Sequence, residues 1–310
     1  MIILDGGMSR ELQRIGAPFR QPEWSALALM ETPALVEQVH REFASAGADV
    51  ITTNSYALVP FHIGEERFRT EAPMLAARAA QVARQAADAV NAAQPGRAVR
   101  VAGSLPPIFG SYRPDLFDAT RVQDYLSVLV TGLRSGVDLW LGETLSSIAE
   151  AQAVMQAVAG DGRPLWISFT LDDAPETRGA EPHLRSGETV RGAAKWAAQA
   201  GIATLLFNCS QPEVMAPAVR AAAAVFAEQG VHTPIGVYAN AFEAHDDEKA
   251  NETIADIRHD LDSARYGDWA DQWVAAGASI IGGCCGIGVR HIHALSQRLR
   301  AEPVPAPTAA

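Results

Sequence analysis

Ile280-Ile281-Gly282-Gly283-Cys284-Cys285-Gly286-Ile287-Gly288 is the stretch on which the fold turns. A short apolar run enters a glycine-rich break, and a helical pattern follows from residue 289: buried strand, tight turn, helix start. Leu205-Leu206-Phe207-Asn208-Cys209-Ser210 has the same shape, an apolar run that ends in a polar residue and a thiol. Working outward, the unit recurs along the chain. Ile2-Ile3-Leu4 stops at Asp5-Gly6-Gly7, and further runs fall at 49–56, 99–105, 137–145, 164–170 and 234–240. Helices are predicted between them at 32–46, 73–93, 121–135, 147–159, 190–200, 217–229 and 269–276. For the first of these, Thr32 is the expected N-cap, Pro33 the first-turn residue and Gly47 the stop. The segment after Gly7 reads as mixed and polar, with a loop at 21–25. Most apolar runs are continuous rather than alternating, as parallel strands buried on both faces should be. Eight such units predict an α/β protein of the (β/α)8, or TIM, barrel type. One barrel domain is expected over 1–300, with an acidic insertion near 242–265 and a disordered tail at 301–310.

The formal net charge of −11 provides no basic face for nucleic acid or an anionic membrane. No apolar run reaches the length that spans a bilayer. The N-terminal stretch does not read as a signal peptide, and three unpaired thiols suit a reducing compartment, so the expected location is the cytoplasm. The oligomeric state is left open.

All three cysteines, Cys209, Cys284 and Cys285, stand at ends of predicted strands. So do Asp5, Tyr56, Ser104, Glu143 and Asn240. A barrel gathers those ends at one mouth. Three thiolates with one open position is a zinc arrangement suited to chemistry, because structural zinc takes four protein ligands. Plainer readings exist. A cysteine in apolar surroundings is often a small core residue. Adjacent cysteines could form a strained vicinal disulfide. The glycines could cradle a phosphate at the helix that starts at 289, although such a cradle needs no thiols. Asp5 could simply close its turn and Glu143 could cap a helix. Trp24 and Tyr56 are either core or rim aromatics, or faces that receive a cation. Of the histidines, His183 alone is placed near the mouth; His291 and His293 lie on the last helix.

The sequence resembles the homocysteine S-methyltransferase family from Asp5-Gly6-Gly7 to Gly283-Cys284-Cys285-Gly286. Further matching pieces are Gly47-Ala48-Asp49-Val50-Ile51-Thr52-Thr53-Asn54-Ser55-Tyr56, Gly103-Ser104, Glu143-Thr144 and Asn208-Cys209. The resemblance implies a barrel that carries Zn2+ on Cys209, Cys284 and Cys285 and methylates the sulfur of homocysteine to give methionine. It further implies that Asp5 and Glu143 hold the amino group of homocysteine, that amides near Gly6, Gly7 and Ser104 meet its carboxylate, and that Trp24 and Tyr56 flank the onium methyl donor. The chain departs from the family pattern at Gly103-Ser104-Leu105-Pro106-Pro107 and Tyr238-Ala239-Asn240, both near the expected donor pocket.

The residue types suit thiol alkylation on their own terms. A free thiol has a pKa of about 8.5 and is mostly protonated at neutral pH, whereas a zinc-bound thiol has lost its proton. The expected partners are therefore homocysteine and a small onium donor: S-methylmethionine, S-adenosylmethionine or a betaine. The alternative is a metal-binding or redox-sensing barrel that transfers no methyl group; a phosphate-binding barrel is a third reading.

Overall fold

The computed structural model describes residues 1–174, 181–242 and 258–300. Within them the chain forms β1 (Ile2–Ile3), α1 (Met8–Arg14), α2 (Ser25–Glu31), α3 (Pro33–Ala46), β2 (Val50–Thr52), α4 (Pro60–Ile63) and α5 (Glu65–Ala93). There follow β3 (Arg100–Leu105), α6 (Val122–Leu133), β4 (Leu139–Leu145), α7 (Ile148–Ala157), β5 (Leu165–Phe169) and α8 (Val190–Ala200). The last elements are β6 (Thr204–Asn208), α9 (Pro212–Glu228), β7 (Ile235–Tyr238), α10 (Ser263–Ala275), β8 (Ile280–Ile281) and α11 (Val289–Arg300). Most of the acidic insertion and the whole tail expected from the sequence lie outside the described residues.

The eight strands form one parallel sheet in the order β1-β8-β7-β6-β5-β4-β3-β2. The ring closes between β1 and β2 through the single parallel bridge Leu4↔Val50. Asp49 N donates to Ile3 O at 2.7 Å, and Asp5 N to Val50 O at 3.1 Å, on either side of that bridge. Short strands at this seam are reinforced by a side chain: Asp49 Oδ2 accepts from Ile3 N at 2.9 Å and from Arg300 at 2.6 Å. The result is the (β/α)8 barrel expected from the sequence. Its interior is filled by inward residues of successive strands, Leu4, Val50, Ala102, Leu139, Leu141, Trp166, Leu206, Tyr238 and Ile280. Arg100 lies 5.5 Å from the Trp166 ring. Filling the barrel this way leaves chemistry to the strand ends.

Helix starts were harder to read than strands. Pro73 and Pro217 mark predicted helix starts, yet both lie inside helices that begin earlier, at Glu65 and Pro212. The true start of α5 is signalled by Gly64 followed by Glu65 and Glu66, acids that favour a helix N-terminus. Gly132 of α6 explains how α5 is packed at its proline: a Cβ there would stand 2.8 Å from Pro73 O. Thr32 does occupy the N-cap of α3, but its hydroxyl donates back to Ala28 O at 3.3 Å instead of capping. Gly47 ends the helix with φ 119°, a left-handed stop that glycine adopts without Cβ strain. The mixed polar segment after Gly7 contains α1 and α2, whose few turns gave too little periodicity to see.

Because the seam rests on one bridge, Asp49→Ala, which leaves Ile3 N without its acceptor and Arg300 with Gly47 O alone, is expected to lower stability by about 1–3 kcal/mol. Urea unfolding checks this: an unchanged midpoint would show that the seam does not depend on Asp49.

Candidate active site

The two glycine motifs touch each other. A Cβ on Gly6 would lie 2.2 Å from Ile287 O, and one on Gly7 would lie 2.6 Å from Cys284 O. The turn after β1 and the turn after β8 are thus packed backbone on backbone, with Gly7 N donating to Ile287 O at 2.8 Å and Gly283 N to Asp5 O at 3.0 Å. From the other side Cys284 N donates to Ala239 O at 2.9 Å, and Cys285 O accepts from Ala241 N at 2.8 Å. Cys209 follows β6 in a left-handed conformation, φ 47°. These constraints bring the ligand atoms of Cys209, Cys284 and Cys285 within 4.8 Å of one another.

Two of the three sulfurs are joined. Cys209 and Cys284 form a disulfide and Cys285 is a free thiol, where the sequence reading had three unpaired thiols. The bond links residues 75 apart and is not the vicinal one weighed above. Sulfurs gathered this closely are within reach of a bond to each other. The set fits a metal once that bond is reduced: a tetrahedral thiolate site with bonds of about 2.3 Å spaces its sulfurs ~3.8 Å apart. Burial pushes the Cys285 thiol up to about 11, with nearby Glu143 adding to the effect and Arg10 opposing it. Without a cation it stays protonated at neutral pH.

Asp5 and Glu143 face the same cavity, and both are at least nine-tenths buried. Asp5 accepts from Thr52 N at 2.7 Å and Thr52 Oγ1 at 3.2 Å. Glu143 accepts from the Ser104 hydroxyl and from Tyr238 OH at 3.4 Å. Those donors are neutral. Burial therefore raises the Asp5 carboxyl to about 8, with repulsion from Glu143 contributing, and raises Glu143 to about 7. Two desolvated acids side by side are a receptor for an ammonium group, which would relieve the repulsion and the desolvation together.

The cavity, about 240 Å³, extends from the thiols past Tyr56, Trp24, Tyr112, Asp173 and Arg185. Among the described residues four non-glycines have positive φ, namely Trp24 (49°), Tyr112 (62°), Thr144 (61°) and Cys209 (47°). All four line this cavity. Strained backbone of this kind persists only where the surroundings over-determine it, and it gathers at functional sites. For Thr144 the clamp is Asn208: Thr144 N donates to Asn208 Oδ1 at 3.0 Å, and Asn208 Nδ2 to Thr144 Oγ1 at 2.9 Å. Ser168 Oγ donates to the same Asn208 Oδ1 at 2.7 Å. One buried amide thus fixes the residue after Glu143 and the residue before Cys209.

Asp5, Gly6, Gly7, Trp24, Tyr56, Glu143, Cys209, Cys284 and Cys285 all line the one cavity. Ser104 meets it through Glu143, to which its hydroxyl donates. The amides expected to receive a carboxylate are largely engaged: Gly7 N by Ile287 O and Ser104 N by Thr53 Oγ1 at 3.0 Å. The first turn of α1, at Met8 and Ser9, opens on the same wall and offers amides without intrahelical partners. Tyr56 OH pairs with Ser111 Oγ at 2.6 Å, and burial raises its pKa. Trp24 stands 5.7 Å from Phe19 and 6.2 Å from His62. His62, not His183, is the histidine that lines the cavity; His183 Nδ1 lies 2.7 Å from Glu181 O. The phosphate-cradle reading fails on geometry, since Val289 N donates to Glu11 Oε1 and Gly288 N to His291 Nδ1, each at 3.2 Å. Tyr112, Asp173 and Arg185 were missed. They sit in loops, where no periodicity marks a wall residue.

The sequence profile described as homocysteine S-methyltransferase matches residues 2–299. The homocysteine S-methyltransferase of Escherichia coli (strain K12) is 30% identical, over 96% of this chain and 95% of that one. Selenocysteine methyltransferase of Astragalus bisulcatus is 29% identical, over 91% and 88% of the two chains. Among solved structures, the homocysteine methyltransferase MmuM from Escherichia coli in its metallated form superposes with a TM-score of 0.77, at 28% identity over 96% of each chain. Its oxidised form superposes with a TM-score of 0.76.

The raised carboxyls carry a pH signature. With a folded pKa above the unfolded value, the folded state holds these protons longer, so the stability that Asp5 and Glu143 contribute to the ligand-free protein is fully present below about pH 4 and is lost as pH climbs through 7 to 8. Glu143→Gln removes part of that decline. At pH 8 the ligand-free variant is expected to be more stable than the parent by up to ~3 kcal/mol, and at pH 4 by little. Urea midpoints at the two pH values decide it; a variant weaker at pH 8 would refute the assignment of Glu143 as a strained, unpaired acid.

Proposed function

The chain belongs to the homocysteine S-methyltransferase family, transferring a methyl group to the sulfur of homocysteine, and we propose that it does so with zinc on Cys209, Cys284 and Cys285 and a small onium compound as donor. The observation that carries this reading is the meeting, in one cavity, of three cysteine sulfurs with two buried acids whose hydrogen-bond donors among the described residues are neutral. Zinc on the reduced thiols would hold the guest thiol as its thiolate at neutral pH. The chain's own residues do the rest. Asp5 and Glu143 take the ammonium group of homocysteine, and the carboxylate turns toward the amides at the start of α1. That grip fixes the amino-acid end, so the sulfur reaches the cysteines with one orientation.

The thiolate sulfur attacks the methyl carbon in line with the donor's onium bond. A carbon–sulfur bond forms, the bond from methyl to the donor breaks, and its electron pair stays on the leaving atom, which becomes neutral. No general acid is needed, because the leaving group gains no charge. The aromatic faces of Trp24 and Tyr56 are the chain's means of seating a cation beside the anionic wall. The disulfide between Cys209 and Cys284 would have to be opened first, a condition that a reducing compartment such as the cytoplasm meets. The alternative of a metal-binding or redox-sensing barrel without methyl transfer gives way to the family membership.

Reduced protein loaded with zinc is expected to bind one ion per chain and to form methionine from homocysteine with at least one of S-methylmethionine, S-adenosylmethionine or a betaine. Cys285→Ala should lose both the ion and the turnover. Glu143→Ala should raise KM for homocysteine about 10- to 100-fold, the worth of a charge-assisted bond, with KM for the donor unchanged. Zinc analysis and methionine formation provide the readout; turnover with none of the donors, or full turnover in Cys285→Ala, would overturn the proposal.

A further inference from the structure

Trp24 and Tyr56 line the cavity from two different segments, the loop before α2 and the turn after β2. The chain between β2 and α5 ties the first of these to the second. Asn54 Nδ2 donates to Ser25 O at 3.0 Å. His62, in α4, has its Nδ1 3.0 Å from Pro22 O. A carbonyl only accepts, so in this bond Nδ1 carries the ring proton. Burial pushes the His62 pKa down to about 4, and the ring is neutral at neutral pH. The two bonds bracket Trp24, one landing two residues before it and the other one residue after it. Both go to backbone carbonyls, so they fix the course of the loop whatever its side chains. The indole needs that help. Trp24 has φ 49° and ψ −132°, a costly backbone state for an aromatic residue, which persists only where neighbours impose it. Its own polar atom does not impose it, since Nε1 is buried with no hydrogen-bond partner among the described residues. The ring meets other rings instead, edge-on to Phe19 at 5.7 Å and to His62 at 6.2 Å. Glu23 also reaches Arg67 of α5 at 3.5 Å, but that cation is 41% exposed and the pair is a weak tie.

We propose that His62 is a positioning residue for the methyl donor: its Nδ1–H holds the loop at Pro22 O and its ring backs the indole, which keeps the Trp24 face on the wall where a cation is seated. The inference rests on the reading above that Trp24 and Tyr56 receive the onium group. The hydrogen bond is the stronger of the two holds. Pro22 is exposed, so once the bond is broken its carbonyl turns to water and the loop is free to follow. The ring contact is then lost with it. Attraction of a cation to an aromatic ring depends on the charge standing over the ring face, so a loop that drifts weakens the donor's hold. Homocysteine is gripped from β1 and β4, through Asp5 and Glu143, and its affinity does not depend on this loop. The donor's positive charge fades as the methyl group leaves. The indole therefore favours the bound donor at least as much as the transition state, and losing its position raises KM without lowering kcat. Histidine supplies a ring and a donor together. Asparagine keeps the donor, with Nδ2 one bond from Cγ as Nδ1 is; phenylalanine keeps only the ring; alanine keeps neither.

The test uses reduced, zinc-loaded protein with homocysteine and each of S-methylmethionine, S-adenosylmethionine and glycine betaine. His62→Ala and His62→Phe should raise KM for the donor about fivefold or more, the scale of one lost hydrogen bond, with kcat and KM for homocysteine within about twofold. His62→Asn should return KM for the donor to within about twofold of the parent, since it restores the bond to Pro22 O. Because His62 acts through the indole, His62→Ala introduced into Trp24→Leu should change KM for the donor by less than about twofold. A second readout needs no turnover. The Trp24 indole N–H, identified among the six tryptophans by its loss in Trp24→Leu, should exchange with solvent about fivefold faster or more in His62→Ala and His62→Phe, and at about the parental rate in His62→Asn. If no donor is turned over yet the exchange rates follow this order, the methyltransferase reading fails and the hold of His62 on Trp24 stands. Unchanged exchange in His62→Phe would overturn the inference. So would KM rising equally for donor and homocysteine, His62→Asn behaving as His62→Ala does, or an undiminished effect in the Trp24→Leu background.

Discussion

The contact between the turn after β1 and the turn after β8 is the constraint from which the site follows. Gly6 and Gly7 lie against the carbonyls of Ile287 and Cys284 at distances that exclude any side chain. Strands at opposite ends of the chain are thereby fixed to within a fraction of a side chain. Asp5 precedes one turn and the cysteine pair sits in the other, so the same contact sets the distance from acid to sulfur. Cys209 is then brought in by β6, and its backbone amide bonds Tyr238 O at 3.3 Å on the strand between. Glycine is required here for space. It is a packing requirement in the service of geometry, and it explains why both motifs are rich in a residue that carries no chemistry.

Charge in the cavity is arranged in two patterns. On one wall the buried acids Asp5 and Glu143 receive only neutral hydrogen-bond donors among the described residues, and their desolvation cost is borne by the ligand-free protein. The other has a pair of opposite charges, Asp173 and Arg185, beside the ring of Tyr112. A net-negative wall beside clustered sulfurs asks for a cationic group.

The barrel was legible because each buried strand is a continuous apolar run that ends abruptly in polar or glycine residues, a pattern set by the need to bury both faces. The thiols and Asp5 and Glu143 were legible for the same reason, since they stand at those ends. Loop residues were not. Arg185 and Asp173 lie outside the helices and strands in the segment after β5, and Tyr112 is in an irregular segment after β3. Pro73 and Pro217 misled because a proline is tolerated inside a helix when its neighbours can adapt, and Gly132 of α6 is such a neighbour, invisible until α5 and α6 are seen together. The disulfide between Cys209 and Cys284 was also beyond the sequence, which placed three thiols at one mouth without saying which pair would meet.

The strained residues show how the barrel supports such a site. A β-branched threonine, a tyrosine, a tryptophan and a cysteine are all held at positive φ around one cavity. Each costs on the order of 1–3 kcal/mol, so the four together approach the whole stability of an ordinary domain. The strain is sustained because its neighbours are locked from several strands at once. Asn208 is the clearest case, since its amide group reaches Thr144 on β4 and Ser168 on β5 from its own place on β6. Removing any one bond leaves the others in place. The threonine after Glu143 therefore cannot relax without unpairing a buried amide, and Glu143 and Cys209 are kept at fixed separation by a buried residue that is not part of the cavity wall.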